Sequence, residues 1–155
     1  VVLYDASKYY VENYLKKNIK KYIILRPGTV SGYSPNMNRE LIINKMSLDA
    51  KYNGTINAFA TQTRKSILDI EDFCKAIIKI KNSNEKKVTE IFNLNSINKT
   101  VGMLADDVKS IYKKSIIKKK EGCSFYSFYL NNKKFSKKFN FKFNENIVKI
   151  IKSIN

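Results

Sequence analysis

Residues 22–32 read YIILRPGTVSG, a short apolar run followed by a break. The run Tyr22–Leu25 is rich in β-branched and aromatic side chains and is too short for a helix, so it predicts a buried strand of a parallel sheet. The Arg-Pro-Gly sequence that follows ends the strand, and residues 27–37 hold both prolines of the chain and two of its five glycines. These residues predict a loop at the carboxyl end of a strand, which is where open α/β sheets bind ligands.

Helical and strand patterns alternate on both sides of this stretch. The first helix has apolar side chains at helical spacing and lysines near its C-terminal end, where the helix dipole favours cations. Thr100 predicts the N-cap of a later helix, because its hydroxyl can accept a hydrogen bond from a free backbone N–H group. Helices are expected at residues 4–20, 38–51, 71–81, 101–114, 131–139 and 144–154, strands at 22–25, 55–60, 66–70 and 88–94, a strand or extended segment at 125–130, and a basic connector at 113–122. This order predicts an α/β fold.

Tyr4 and Lys8 form a pair on the first helix that suggests chemistry. Residues four apart lie on one face of a helix, so the phenol and the ammonium group can point to the same place. An ammonium group near a phenol stabilises the phenolate, which can act as a general base near neutral pH. With ten tyrosines and many lysines this spacing also arises by chance, and Tyr129 with Lys133 repeats it. The pair is therefore either a catalytic base with its partner or an ordinary surface pair.

The composition limits the classes of function. The 155 residues are 43% hydrophobic and carry a formal net charge of +17, which fits a globular domain that meets an anionic partner. Lysine supplies nearly all of the positive charge and arginine occurs only three times, so a compositional bias competes with a functional basic surface as the explanation. Histidine is absent, which leaves Tyr, Lys, Asp, Glu and Cys for acid–base chemistry. No apolar run reaches the roughly 18 residues of a membrane span.

An aromatic and lysine-rich run covers residues 124–143 (SFYSFYLNNKKFSKKFNFKF). Exposed aromatic rings next to lysines could stack nucleic-acid bases and bind phosphates. The alternation and helical spacing of the run instead favour core positions for its aromatic rings. A core role is the simpler interpretation, and base stacking remains the alternative.

Several stretches resemble the C-terminal half of the extended short-chain dehydrogenase/reductases, the NAD-dependent nucleotide-sugar epimerases and dehydratases. Residues 4–8 (YDASK) are similar to the Tyr-x-x-Ser-Lys helix of that family, and residues 22–32 to its strand and loop, usually Leu-Arg-x-x-Asn-Val-Tyr-Gly. Residues 62–73 (QTRKSILDIEDF) are similar to its basic residue, short strand and Asp-led helix. Residues 91–105 (IFNLNSINKTVGMLA) are similar to its Phe-Asn-x-x-Ser strand and Thr-capped helix, and residues 133–141 to its lysine-rich closing segment. Each motif is weak alone, and their common order carries the resemblance.

The resemblance implies roles for individual side chains. Tyr4 would be the catalytic base, which takes a proton from a sugar hydroxyl while hydride passes to NAD or NADP. Lys8 would hold the ribose hydroxyls of the cofactor and support Tyr4, which would itself contact the cofactor. Pro27 and Gly28 would reach the nicotinamide through their backbone. Asn44 would face the diphosphate of a nucleotide sugar.

A basic side chain would bind the substrate phosphates, and the resemblance leaves two neighbours as alternatives. Lys65 lies where the family usually has an arginine, and Arg64 precedes it. A guanidinium fork holds a diphosphate better than an ammonium group does, so the assignment is open by one position. Thr29 and Ser31 replace the usual Asn and Tyr of the family. A non-catalytic relative that keeps the fold is therefore an alternative, as is a basic nucleic-acid-binding module.

The implied fold class is α/β, as the C-terminal part of a Rossmann-like doubly wound parallel sheet with a small α/β substrate-binding subdomain. The Rossmann-like part would comprise about residues 1–35 and 66–95, and the subdomain about residues 36–65 and 96–155. Because the chain begins within an apolar run, we expect a piece of a longer enzyme whose dinucleotide-binding strands are absent here and are needed for activity. We expect the complete enzyme to be a cytoplasmic homodimer that binds a nucleotide sugar and neither a membrane nor nucleic acid.

Overall fold

The computed structural model describes residues 3–83, 89–122 and 126–154. Within these residues, helices and strands alternate along the chain, which confirms the predicted α/β class. In chain order the elements are α1 (Leu3–Asn18), β1 (Ile23–Pro27), β2 (Thr29–Ser31), α2 (Ile42–Asn53), β3 (Thr55–Phe59), β4 (Arg64–Asp69), α3 (Ile70–Asn82), β5 (Glu90–Leu94), β6 (Ile97–Thr100), α4 (Val101–Ile111), β7 (Ile116–Lys120), α5 (Lys133–Phe139) and α6 (Ile147–Ser153).

Most strand pairs are parallel. β1 lies beside β5 with Ile24 opposite Ile91, and β3 lies beside β7 with Ile56 opposite Ile117. β4 is the central strand of a three-stranded sheet in which β2 runs parallel to it and β6 antiparallel. Parallel neighbours need long crossover connections, and α2, α3 and α4 lie within these connections.

The larger apolar core fills the space between α2, β3, α4 and α6. Ile43, Ile56, Leu104 and Ile151 are completely buried in it. On α4 the buried residues are Val101, Leu104, Ala105 and Val108, which is the one-sided spacing of an amphipathic helix. Thr100 caps this helix as the sequence predicts, because its hydroxyl accepts a hydrogen bond from Met103 N at 3.3 Å.

The smaller core is a cluster of phenylalanine rings that fixes α5 to β5. The centroids of Phe92 and Phe135 are 5.6 Å apart with the rings nearly perpendicular, and those of Phe135 and Phe139 are 4.7 Å apart. Phe143 is also buried in this cluster. Tilted and edge-to-face contacts of this kind add to the free energy gained from burial. The predicted core role of these aromatic residues is confirmed.

Three strands of the described structure, β2, β6 and β7, are absent from the sequence prediction. Residues 113–122, predicted as a basic connector, contain β7, because the two isoleucines of β7 pair with the first half of β3 while its lysines stay exposed. The preceding helix therefore ends at Ile111, short of the predicted residue 114. Residues 126–130 form no strand and are the extended alternative of that prediction. The predicted strand residue Val88 and Phe125 lie outside the described residues.

The loop after β1 is longer than predicted. α2 begins at Ile42, four residues later than expected, because Asn38 holds a turn by accepting a hydrogen bond from Glu40 N at 2.9 Å. The helix stops at Gly54, whose φ of 64° is left-handed and suits glycine. The loop also contains the short strand β2, which extends the sheet of β4.

α1 lies on the surface of the described structure. Each of its residues is at least partly exposed, including the large side chains Leu3, Tyr9, Tyr10 and Tyr14. In the part of the chain that the structure describes, no helix has both the length and the apolar character that crossing a membrane requires.

Candidate active site

α1 presents the predicted catalytic pair on an open surface. Lys8 Nζ lies 5.3 Å from the centroid of the Tyr4 ring, so the spacing of four residues does bring the two side chains together. The ammonium group lies against the ring, in a cation–π contact. Tyr4 is 66% exposed. A ligand that approaches this face of α1 can therefore reach both groups.

Polar side chains join α1 to the rest of the chain. Arg26 donates from Nε and Nη2 to the two carboxylate oxygens of Glu12, at 2.8 and 2.6 Å. This hydrogen bonding lowers the pKa of Glu12 below its usual value. Nearer the start of the helix, the hydroxyl of Tyr126 donates to the carboxylate of Asp5. Arg26, which stands near the end of β1, therefore positions α1.

The loop after β1 comes very close to β4 at Gly28. A Cβ atom at Gly28 would lie 2.6 Å from the carbonyl oxygen of Ser66, so no side chain fits there. Gly28 N donates to the carbonyl of Leu94 at 2.8 Å. The structure thus explains why the residue is glycine, and it shows that its amide N–H is bonded within the protein. Pro27 is exposed at the end of β1.

Asn44 of α2 is enclosed rather than open. Its exposed fraction is 1%. Its Oδ1 accepts a hydrogen bond from Gly32 N at 3.2 Å, and its Nδ2 donates to the carbonyl of Asn38 at 2.9 Å. The side chain therefore holds the loop between β2 and α2 at two positions, and its burial leaves little of it for direct contact with a diphosphate.

β4 separates the two candidate phosphate ligands, because successive side chains of a strand point to opposite faces. Lys65 is half-buried, and burial lowers the pKa of its ammonium group below the usual value. Its Nζ donates to the carbonyl of Tyr126 at 3.0 Å. Arg64 is exposed, with its guanidinium carbon 5.6 Å from the centroid of the Tyr129 ring. The two side chains thus occupy different environments.

Lys65 is one of the residues that line a cavity of about 480 Å³ between α2 and β3. Such a volume is typical of small-molecule sites. One wall carries charges of both signs. Lys45 Nζ forms an ion pair with Glu40 at 2.6 Å, and Asp49 also lines this wall. The other lining residues are Ile42, Met46, Asn57, Phe59, Thr63, Val101 and Tyr126. The cavity thus combines apolar surface, an aromatic ring and a half-buried cation.

Sequence reasoning missed much of this lining. The alternation of TINAFA over residues 55–60 was sufficient to place Asn57 and Phe59 on one face of β3, away from the core. Tyr126 belongs to the aromatic run that we expected to be core, and the structure corrects this: Tyr126, Phe128 and Tyr129 are exposed. The reason is that residues 126–130 lie along the edge of β4 instead of packing inward.

Solved structures with this fold include sugar-nucleotide enzymes. The dTDP-glucose 4,6-dehydratase of Bacillus anthracis in complex with NAD superposes with a TM-score of 0.76 at 16% identity, over 96% of this chain and 48% of that chain. For the ADP-L-glycero-D-manno-heptose-6-epimerase of Helicobacter pylori the TM-score is 0.78 at 14% identity, over 96% and 48% of the two chains. For the UDP-N-acetylglucosamine 4-epimerase of Bacillus cereus it is 0.73 at 20% identity, over 96% and 50%.

These similarities establish the fold. The chain spans about half the length of the structures that it matches, so it has the fold of one part of them. No family model matches the sequence, and no curated protein matches it.

Proposed function

We propose that this chain is the substrate-binding and catalytic-base part of an NAD- or NADP-dependent enzyme that epimerises or dehydrates a nucleotide sugar. The observation that carries the proposal is that the Tyr4–Lys8 pair and the cavity at Lys65 are connected through one residue. Tyr126 lines the cavity, and its hydroxyl binds Asp5, the neighbour of Tyr4. The names of the structures with the same fold support this class of reaction.

Tyr4 removes the proton of a sugar hydroxyl in this proposal. Lys8 supports it by contact, because its ammonium group lies against the Tyr4 ring, 5.3 Å from the centroid. NAD or NADP, when bound, supplies the acceptor for the hydride that the sugar carbon loses. The donors on α1 fit such a cofactor, since the exposed ammonium of Lys8 has three N–H groups for ribose hydroxyls.

Pro27 and Gly28 contact the nicotinamide in the proposal, with a limit that the structure imposes. Gly28 N is bound to Leu94, so the contact uses carbonyl groups or Cα. The pyrophosphate of a dinucleotide usually binds a glycine-rich loop at a helix N-terminus. The five glycines of this chain do not form a Gly-x-x-Gly-x-x-Gly sequence. The proposal therefore requires a separate dinucleotide-binding part.

Lys65 binds the diphosphate of the substrate, and Phe59 and the apolar lining of the cavity hold the nucleoside. Of the two candidate ligands for the phosphates, Lys65 is preferred because it lines the cavity, whereas Arg64 is exposed against Tyr129. Asn44 acts through the loop between β2 and α2, which it orients with two hydrogen bonds.

Titration of the 155-residue chain with UDP and with NAD tests the proposal. We expect UDP to bind and to change the NMR chemical shifts of the cavity residues more than those of the other residues. NAD should bind at least about tenfold more weakly than UDP because the pyrophosphate loop is missing. Absence of UDP binding, or NAD binding as tight as that of UDP, contradicts the proposal. Free uridine serves as the control, because it lacks the phosphates that Lys65 would hold.

A nucleic-acid-binding function is the second candidate. It is favoured by the exposed rings of Tyr126, Phe128 and Tyr129, and by the guanidinium of Arg64, which lies against the Tyr129 ring. A single-stranded oligonucleotide would then bind with strong salt dependence, and Phe128→Ala would weaken it. UDP binding at the cavity that is insensitive to Phe128→Ala, together with no oligonucleotide binding, decides for the enzyme.

A further inference from the structure

Residues 126–130 lie along β4 without forming a regular strand. Phe128 N donates to the carbonyl of Arg64 at 3.3 Å, and Arg64 N donates to Ser127 Oγ at 3.0 Å. The segment is therefore fixed to the sheet at its middle. Tyr126, at its beginning, extends beyond this attachment towards α1.

Tyr126 contacts the cavity and α1 with different atoms. Its carbonyl accepts the hydrogen bond of Lys65 Nζ at 3.0 Å, and both residues line the cavity with Phe59. Its hydroxyl donates to Asp5, from which it is separated by 121 residues of sequence. The Asp5 carboxylate raises the pKa of Tyr126 above its usual value, so the hydroxyl keeps its proton and remains a donor around neutral pH.

The position of α1 depends on such side-chain contacts. Every residue of this helix, all within the described range, is at least partly exposed, so the helix is not anchored by a buried apolar face. Arg26 holds its middle through Glu12. The first turn, which carries Tyr4, is joined to the cavity wall through Asp5 and Tyr126.

We propose that Tyr126 is a positioning residue that sets the first turn of α1, and thus Tyr4, relative to the cavity, and that a nucleoside diphosphate in the cavity alters this setting. The phosphates of such a ligand compete with the Tyr126 carbonyl for the ammonium group of Lys65. This inference rests on the proposed function, which assigns the phosphates to Lys65 and the base to Tyr4.

Amide hydrogen exchange of α1 tests the inference in the 155-residue chain, without ligand and with saturating UDP. Tyr126→Phe keeps the ring and removes the bond to Asp5, so exchange of the hydrogen-bonded amides at residues 7–10 should be at least about twofold faster than in the wild type. Asp5→Ala should do the same, and the double variant should be no faster than either single variant. Asp5→Asn, whose amide oxygen still accepts, should stay near the wild type. Tyr129→Phe is the matched control and should leave α1 unchanged.

UDP should alter α1 exchange in the wild type and in Tyr129→Phe but not in Tyr126→Phe, with each variant saturated according to its own measured Kd. An equal UDP response in Tyr126→Phe overturns the inference while leaving the proposed function intact. If UDP does not bind, the proposed function fails. The ligand-free comparison then decides whether Tyr126 positions α1: additive effects of Tyr126→Phe and Asp5→Ala, or no effect of either, overturn that role.

Discussion

Replacement of Lys65 by Met removes the positive charge of this one lining residue while it keeps nearly the length of the side chain. Lys65 is half-buried, and its Nζ already donates to the carbonyl of Tyr126 at 3.0 Å. A phosphate that binds here takes a charge-assisted hydrogen bond, which contributes about 1.5–3 kcal/mol. At about 1.4 kcal/mol for each factor of ten, the Kd of UDP should rise about 10- to 100-fold in Lys65→Met.

The affinity for UDP should also depend on pH, in a direction that follows from the pKa of Lys65. Phosphate binding needs the protonated ammonium of Lys65, whose pKa burial lowers below its usual value. The affinity for UDP is therefore complete below this lowered pKa and falls as the pH rises through it. Lys65→Met has no ammonium to titrate, so its weaker affinity should not change over the same alkaline range. Isothermal titration calorimetry at several pH values measures both effects.

Arg64→Met is the matched control for this experiment. Arg64 is the sequence neighbour of Lys65, but it is exposed with its guanidinium against Tyr129. Its replacement should change the Kd of UDP by less than about fivefold, because an exposed charge pair contributes at most about 1 kcal/mol. A large loss of affinity in Arg64→Met with little change in Lys65→Met would show that Arg64, and not Lys65, binds the phosphates.

The remaining predictions concern stability. Gly28→Ala should lower the free energy of unfolding by about 1–3 kcal/mol, because its Cβ would lie 2.6 Å from the backbone oxygen of Ser66. Gly102→Ala, whose closest neighbour would be 3.3 Å away in a helix, should cost less, and urea denaturation that ranks the two in the opposite order would refute this explanation. Glu12→Gln should destabilise α1 by about 0.5–1 kcal/mol at neutral pH. Arg26 lowers the pKa of Glu12 in the folded state, so this stability is present above the unfolded-state pKa and is lost as the pH falls through the lower folded-state pKa. The thermal unfolding temperatures of the wild type and of Glu12→Gln should therefore converge in acid. A difference that stays constant with pH would contradict the role of the ion pair.

The elements with strong local signals were predictable from the sequence. The strand of YIIL, the cap at Thr100 and the acids at the start of α3 follow from short-range chemistry, and the structure has them. β7 was not predictable in this way. Its lysine-rich sequence forms a strand because β3 offers a paired edge, which is a contact between residues about 60 positions apart.

The candidate site also combines local features, which the sequence predicts, with tertiary features, which it does not. The spacing of Tyr4 and Lys8 is a property of one helix, so the sequence predicts their proximity. The choice between Arg64 and Lys65 depends on which face of β4 meets α2, and this is a tertiary property. The contact of Tyr126 with Asp5 joins residues 121 positions apart, so nothing in the local sequence pattern indicates it.

Tyr4→Phe is to be assayed for turnover of a nucleotide sugar in the longer enzyme in which the proposal places this chain. We expect Tyr4→Phe to abolish turnover by removing the proton acceptor, while NAD and UDP still bind with nearly unchanged Kd. Tyr10→Phe, on the same exposed helix, should retain full activity. Unchanged turnover in Tyr4→Phe would contradict the assignment of the base and, with it, the account of this chain as the catalytic part of such an enzyme.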